Sequence, residues 1–303
     1  GDTLEEVNPA PREWLGGMAL NGSLYVAVGC IEETENLTPI IVTSRDAVNW
    51  EQKKIDQYGS LGKVIWAGTQ FLAAGYPGLI MSSADGIDWT VLHTGENCYL
   101  SDVIYTGEKY IAVGMGGPWK YGVIISSKDG IAWKEKRFDK LMGLYSVAFN
   151  GERIVAAGED KSAREKLVIK VSKNGVKWNN VNIPKLSSGL GEIVRWGGDK
   201  FLLDGVEFIL VSSDGLKWTQ VPMPDNTKNI DSIMDIIWDG GSFCALGVNN
   251  NNFTKCQSFL LTTSDGYNWN VCPKMTSQYL TGLTYDGTKY IAVGDGGAIL
   301  TSE

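Results

Sequence analysis

The sequence predicts an all-β fold, a seven-bladed β-propeller of four-stranded antiparallel blades, and three features predict it. A glycine recurs as Gly29, Gly75, Gly114, Gly158, Gly205, Gly247 and Gly294, at spacings of 46, 39, 44, 47, 42 and 47 residues. A turn of the form Ser/Thr-x-Asp/Asn-Gly-x-x-Trp follows most of these glycines in register. Short runs rich in valine, isoleucine, tyrosine and tryptophan lie between the turns and have the composition and length of strands.

The clearest unit spans Leu100 to Lys136, reading LSDVIYTGEKYIAVG, a variable loop, then VIISSKDGIAWKEK. Its first reversal has counterparts at Asn21-Gly22, Asn150-Gly151, Asp239-Gly240 and Asp286-Gly287. Glycine there accepts the positive φ of a tight hairpin. The second reversal ends in Trp89, Trp133, Trp178, Trp218 and Trp269, and a first copy, SRDAVNW, ends in Trp50 with Ala47 in place of glycine. Tryptophans repeating in register are expected to pack between blades.

Seven equivalent points across residues 1–303 predict a single propeller domain. The seventh unit stops at Ser302-Glu303, where its turn and fourth strand should follow. Gly1-x-x-Leu4 aligns with Gly86-x-x-Trp89, so the N-terminal segment is expected to supply the last strand of the last blade and close the ring.

Bulk properties narrow the function. With 27 basic and 35 acidic side chains the net charge is −8, and no Lys/Arg stripe tracks phosphates, so nucleic acid is not an expected partner. No apolar run is long enough for a membrane span. The five cysteines (Cys30, Cys98, Cys244, Cys256, Cys272) show no CxxC spacing and His93 is the only histidine, so no metal and no cofactor are expected. Cys244, Cys256 and Cys272 fall within one repeat, which leaves a disulfide or buried free thiols open. Asn21 and Asn252 match glycosylation acceptors, although Asn21 sits in a tight turn. A leading Gly1 followed by polar residues is compatible with a removed export signal.

The units resemble the bacterial propeller repeats that read roughly NGKFVAVGxxGxIxxSxDGxxW, grouped with sialidase-like, Asp-box (BNR-type) propellers. The resemblance covers essentially the whole chain and implies an exported bacterial protein, extracellular or at the cell surface. It does not imply sialidase activity. The sialidase box has one more residue between Asp and Gly, whereas Asp85, Asp129, Asp214 and Asp265 directly precede their glycines. Sialidases also hold the substrate carboxylate with three arginines. This chain has only Arg12, Arg45, Arg137, Arg153, Arg164 and Arg195, with Arg45 used in a turn and no Arg-Ile-Pro segment near the start.

In such a ring the turns after the first and third strands lie on one face and the connections after the second and fourth on the other. The first set is short and uniform. The second is long and variable, including Cys30 to Pro39, Met115 to Gly122, Glu159 to Lys166, Asn249 to Gln257 and Pro222 to Ser232, so recognition is expected on that face. Tyr58, Tyr76, Tyr99, Trp119, Tyr121 and Tyr279 fall in or beside those connections and suit sugar stacking or protein contacts; each ring alone is equally read as loop packing.

On the innermost strands Lys63, Asp102 and Asp235 occupy one equivalent position, and Arg195 lies two residues further along its own strand. These four either ring the channel entrance to bind a charged or polyhydroxylated ligand, or line a wet tunnel and pair with one another. His93, with no matching serine or cysteine motif, is read as structural. The expectation is a monomeric, non-catalytic binding propeller that recognises a protein or a cell-surface glycan through its long-loop face. The alternative is a glycoside hydrolase or lyase using the carboxylates of Asp102 and Asp235 in the channel.

Overall fold

A computed structural model describes all residues except 1–4, 7–12, 34–35, 96, 118–119, 162–165, 185–191, 206–207, 224–226, 228–229, 250–255, 273–275 and 303. Twenty-eight strands form seven antiparallel sheets of four, and no α-helix occurs among the described residues. Six sheets are built from consecutive strands. The seventh takes Leu280–Tyr285, Tyr290–Gly294 and Ile299–Thr301 and completes itself with Glu5–Glu6, which pairs with Thr301 and Leu300. The chain ends therefore share a blade, and the propeller expected from the repeat, including its N-terminal closing strand, is the fold observed.

Closure is also visible in the core. The buried side chains divide into seven clusters, each drawing on two neighbouring blades. Ile111, Val113 and Ile124 of blade 3, for example, pack against Leu144, Val147 and Ile154 of blade 4. Leu15, Ala27 and Ile40 of blade 1 pack against Ile291, Val293 and Ile299 of blade 7, the contact an open stack would lack. Alternation puts one face of each sheet against each neighbour, so the middle strands are apolar on both faces, as in Ile111, Ala112 and Val113, all fully buried.

The six repeat turns share their hydroxyl and Asp/Asn bonds, and all but those of Trp50 and Trp269 add a tryptophan bond. The Ser127 hydroxyl accepts from the Gly130 N–H at 2.9 Å, and Asp129 Oδ1 accepts from the Ile131 and Ala132 N–H groups at 2.8 Å each. The Trp133 indole N–H then donates to the Gly130 carbonyl at 3.0 Å. The tryptophans pack against the preceding blade, Trp218 and Trp269 being buried and the others half-buried. Ala47 adopts the left-handed φ of 61° that its glycine counterparts take.

One expected loop is not a loop. Tyr25–Glu33 and Asn36–Ser44 stay paired as far as Glu33 and Asn36, with Glu32 opposite Leu37, so the described residues between Cys30 and Pro39 are hairpin strands. None of the five cysteines is bonded to another. The Asn21 carboxamide oxygen accepts from the Ser23 and Leu24 N–H groups and so serves its turn. Asn252 lies outside the described residues.

The recurring glycine has a steric cause. A Cβ on Gly114 would stand 1.9 Å from the Tyr99 carbonyl oxygen, and Gly29, Gly75, Gly158 and Gly294 face an equivalent backbone carbonyl at 1.8, 2.0, 2.2 and 2.0 Å. In each the first strand presses its carbonyl into the space a side chain would fill. Gly107, in the hairpin turn of the same blade, has φ +87° and nothing within 4 Å. Gly114→Ala is therefore expected to destabilise by about 3 kcal/mol or more, and Gly107→Ala by about 1 kcal/mol. Urea unfolding measures both; equal losses would show that the Gly114 contact relaxes freely.

Candidate functional site

The carbonyls that crowd those glycines belong to β-bulges. In six blades the pairing of the first strand slips by one residue, passing over Gly16, Gly62, Ser101, Tyr145, Met234 and Thr281. In blade 5 pairing begins only at Val194, and Glu192 occupies the corresponding place. A bulge turns the extra residue and its successor out of the ladder. All seven of these residues line a central cavity of about 960 Å³, together with Lys63, Asp102, Ser146, Ile193 and Asp235 immediately after them. Apart from Arg195, the remaining lining comes from the starts of first strands, the ends of second strands and the connection into blade 6, so the cavity is a funnel opening on the long-loop face.

The funnel floor is a network of ion pairs. Arg195 donates to Asp102 Oδ2 at 2.8 Å and to Asp235 Oδ1 at 3.0 Å, and Lys63 Nζ donates to both oxygens of Asp235 at 3.2 and 3.3 Å. Asp102 also accepts from the Ser146 hydroxyl at 2.7 Å and from the N–H groups of Val103 and Val147 at 3.0 Å each. Asp235 accepts from Ile236 N–H at 3.0 Å and Leu283 N–H at 3.2 Å. The network thus spans blades 2, 3, 4, 5, 6 and 7, and Lys63 reaches Asp235 across the axis. Both aspartates are 4% exposed, so their charges depend on these partners. Burial would raise the Asp235 carboxyl, but the charges of Lys63 and Arg195 hold it below the usual range.

Above the floor, blades 4 and 5 supply three further carboxylates. Glu159 receives the Tyr145 hydroxyl at 2.9 Å. Asp204 takes a position that is apolar in the other blades, and its Oδ1 accepts from Glu192 N–H at 3.0 Å and Ile193 N–H at 2.6 Å. This adds to the backbone bond that the Asp204 N–H makes to the Ile193 carbonyl at 3.1 Å, just before the strand pairing of blade 5 begins. Burial first, then the Glu192 charge, push its carboxyl up to about 7, against the pull of the two N–H groups and Arg195. Glu192 is exposed to the funnel yet walled in, and that burial followed by the Glu159 charge raises it as well.

The sequence-derived candidates separate into groups. Lys63, Asp102, Arg195 and Asp235 meet in the floor, paired with one another, and Tyr279 lies on the funnel wall. Tyr76 and Tyr99 stack at 5.0 Å, with Tyr58 edge-on to Tyr76 at 6.2 Å, as a tyrosine ladder between blades 2 and 3 outside the funnel lining. Tyr121 packs under the Arg137 guanidinium at 4.7 Å, also outside the lining. Trp119 is outside the described residues. His93 lies on the outer strand of blade 2, half-buried, with its ring 6.1 Å from Trp133. Tyr145, Glu159, Glu192 and Asp204 were not legible as site residues. The only signal was an acidic residue, Asp204, beside a repeat glycine where other units carry Val, Ala or Leu.

No family model matches the chain, and no curated protein matches it in sequence. Solved structures do. A catalytically inactive histidine-to-alanine variant of virginiamycin B lyase from Staphylococcus aureus with quinupristin superposes with a TM-score of 0.73 at 11% identity, covering 100% of this chain and 99% of that one. YCF48 from Cyanidioschyzon merolae gives 0.66 at 13% identity over 98% of each chain. PorZ, a surface component of the type-IX secretion system of Porphyromonas gingivalis, gives 0.60 at 9%, covering 96% of this chain and 37% of that one. At these identities the likeness establishes the fold alone.

A carboxyl near 7 rather than the ordinary 3.8 means that folded Asp204 keeps a proton the unfolded chain has released. Its contribution to stability is full below about pH 4 and is lost as pH rises through about 7. Asp204→Asn keeps an oxygen for the Glu192 and Ile193 N–H groups and removes the charge facing Glu192 and Arg195. Relative to the parent, it is expected to gain at least ~1 kcal/mol between pH 5 and pH 8 in urea unfolding. A difference independent of pH would contradict the assignment.

Proposed function

We propose that this protein is a non-catalytic recognition module, exported by a bacterium, that seats part of a protein or cell-surface glycan in the funnel of its long-loop face. The observation that carries the reading is the funnel itself: a pre-formed cavity of about 960 Å³ with a charged floor and mixed polar and apolar walls. Its size is that of a ligand site, and the rigid scaffold holds its lining in place before any ligand arrives.

The catalytic alternative requires Asp102 or Asp235 to deliver or accept a proton. Both are instead occupied by Arg195, Lys63 and backbone N–H groups, which take up their lone pairs and leave them poorly placed to meet a substrate. The structurally similar lyase is inactive as a histidine variant. Here the single histidine, His93, is on an outer strand remote from the funnel. Export and a surface location draw support from the sequence resemblance and from PorZ, a bacterial surface component.

A combined glycan array and displayed-peptide screen tests the reading. The expected outcome is a ligand recovered chemically unchanged, whose binding falls at least tenfold in Ser101→Trp, which fills the funnel from the blade 3 bulge. Turnover of the ligand that disappears in Asp102→Asn or Asp235→Asn would instead establish the hydrolase or lyase.

A further inference from the structure

We propose that the tight-turn face of blades 3, 4 and 5 docks on an anionic phospholipid bilayer, with Ile131, Val176 and Leu216 inserting at the level of the headgroups. This surface lies opposite the funnel mouth and is independent of what the funnel binds. A chain held this way presents the funnel away from the lipid.

The residue after each repeat-turn glycine, or after Ala47 in the first copy, is apolar and exposed: Val48, Ile87, Ile131, Val176, Leu216 and Tyr267. These six make up most of the large hydrophobic side chains exposed among the described residues. Ile131 is 78% exposed and Val176 61%. In the turns of Ile131, Val176 and Leu216 the backbone N–H of this residue, not its side chain, makes the bond to the Asp or Asn. The turn itself therefore does not require an apolar side chain there, and apolar groups repeated on one exposed face mark a contact surface.

Charge distinguishes the blades. In the turns of blades 3 to 5 (106–109, 128–133, 150–153, 173–178, 197–200 and 213–218) seven cations meet five acids. In the corresponding described turns of the other four blades two cations meet six acids. A chain of net charge −8 thus carries a basic sector. Lys128, Lys177 and Lys217 stand beside the three apolar tips, are exposed, and form no ion pair among the described residues. The acids next to them are engaged, since Oδ1 of Asp129 and of Asp214 accepts from N–H groups of its own turn at 2.8 to 2.9 Å. Burial, then the charges of Lys128 and Lys134, pull the Lys109 ammonium down, as cations crowded on one surface do.

The spacing of the tips selects the partner. Single apolar side chains, one to a blade and separated by lysine-bearing turns, do not make the continuous apolar core that a folded partner buries. They suit a bilayer interface, where aliphatic groups sink past the headgroups while lysines meet lipid phosphates. A second copy placed face to face would set lysine against lysine.

Flotation of the full chain with vesicles of phosphatidylcholine, alone or with about one-third phosphatidylglycerol, tests the assignment. Binding should be at least about tenfold greater on the anionic vesicles, and should fall by about tenfold in Ile131→Ser/Val176→Ser/Leu216→Ser and in Lys128→Glu/Lys177→Glu/Lys217→Glu. Val48→Ser/Ile87→Ser, outside the basic sector, should stay within about twofold of the parent. All the substituted side chains are exposed, so the core is left intact. Absence of anionic preference, binding untouched by the serine triple, or equal loss in Val48→Ser/Ile87→Ser would overturn the proposal. Retention on immobilised polyglutamate equal to that on vesicles would overturn it in favour of an acidic protein. A dimer in ultracentrifugation that the serine triple dissociates would overturn it in favour of a second copy.

Discussion

Everything at the centre of this molecule depends on a steric pairing between a bulge and a glycine. Where seven sheets converge on an axis, the innermost strand of each must turn its side chains away from the ladder toward the channel. In six blades it does so by inserting one residue, and in five of these the carbonyl beside that insertion occupies the place of a Cβ on the next strand, as Tyr99 does at Gly114. The repeat glycine and the channel lining are therefore two sides of one constraint. The glycine marks where the bulge is, and the bulge decides that Asp102, Ser146 and Asp235 face the axis rather than the core.

A regular scaffold would give seven equal residues at that level. Here they differ by blade, and the differences are complementary: cations from blades 2 and 5, anions from blades 3 and 6, a hydroxyl from blade 4. A buried ion pair contributes little net stability over an apolar filling, but removing one member leaves charge stranded and costs about 3–5 kcal/mol. The network is accordingly a device of register. It ties non-adjacent blades to one another at the bottom of the cavity whose wall carries the acids of blades 4 and 5.

The fold was legible in the sequence because it is written seven times, with landmarks whose steric roles are local: Asp-Gly at hairpins, tryptophan on the turn, glycine at the bulge. The floor residues were legible as a set because Lys63, Asp102 and Asp235 break an apolar pattern at one repeat position. Whether they would bind outward or pair inward was left open, since that depends on reach across the axis, as in Lys63 to Asp235. The wall acids were hidden for a different reason. Glu159 sits at a strand end, and Glu192 belongs to a first strand that loses its pairing where Asp204 replaces an apolar residue. Tyr121 read as a loop aromatic, but its neighbours place it under Arg137 on the outer strands of blade 3.

Hydrogen exchange on Arg195→Met tests the floor most directly. The N–H groups of Val103, Val147, Ile236 and Leu283 are each bonded to an aspartate that Arg195 holds, although they belong to blades 3, 4, 6 and 7. Loss of the arginine should accelerate exchange at all four by about tenfold or more, while amides of the middle strands such as Ile111 and Ile291 keep their protection. Changes confined to blade 5, with those four amides undisturbed, would mean that the blades hold their register without the charge network.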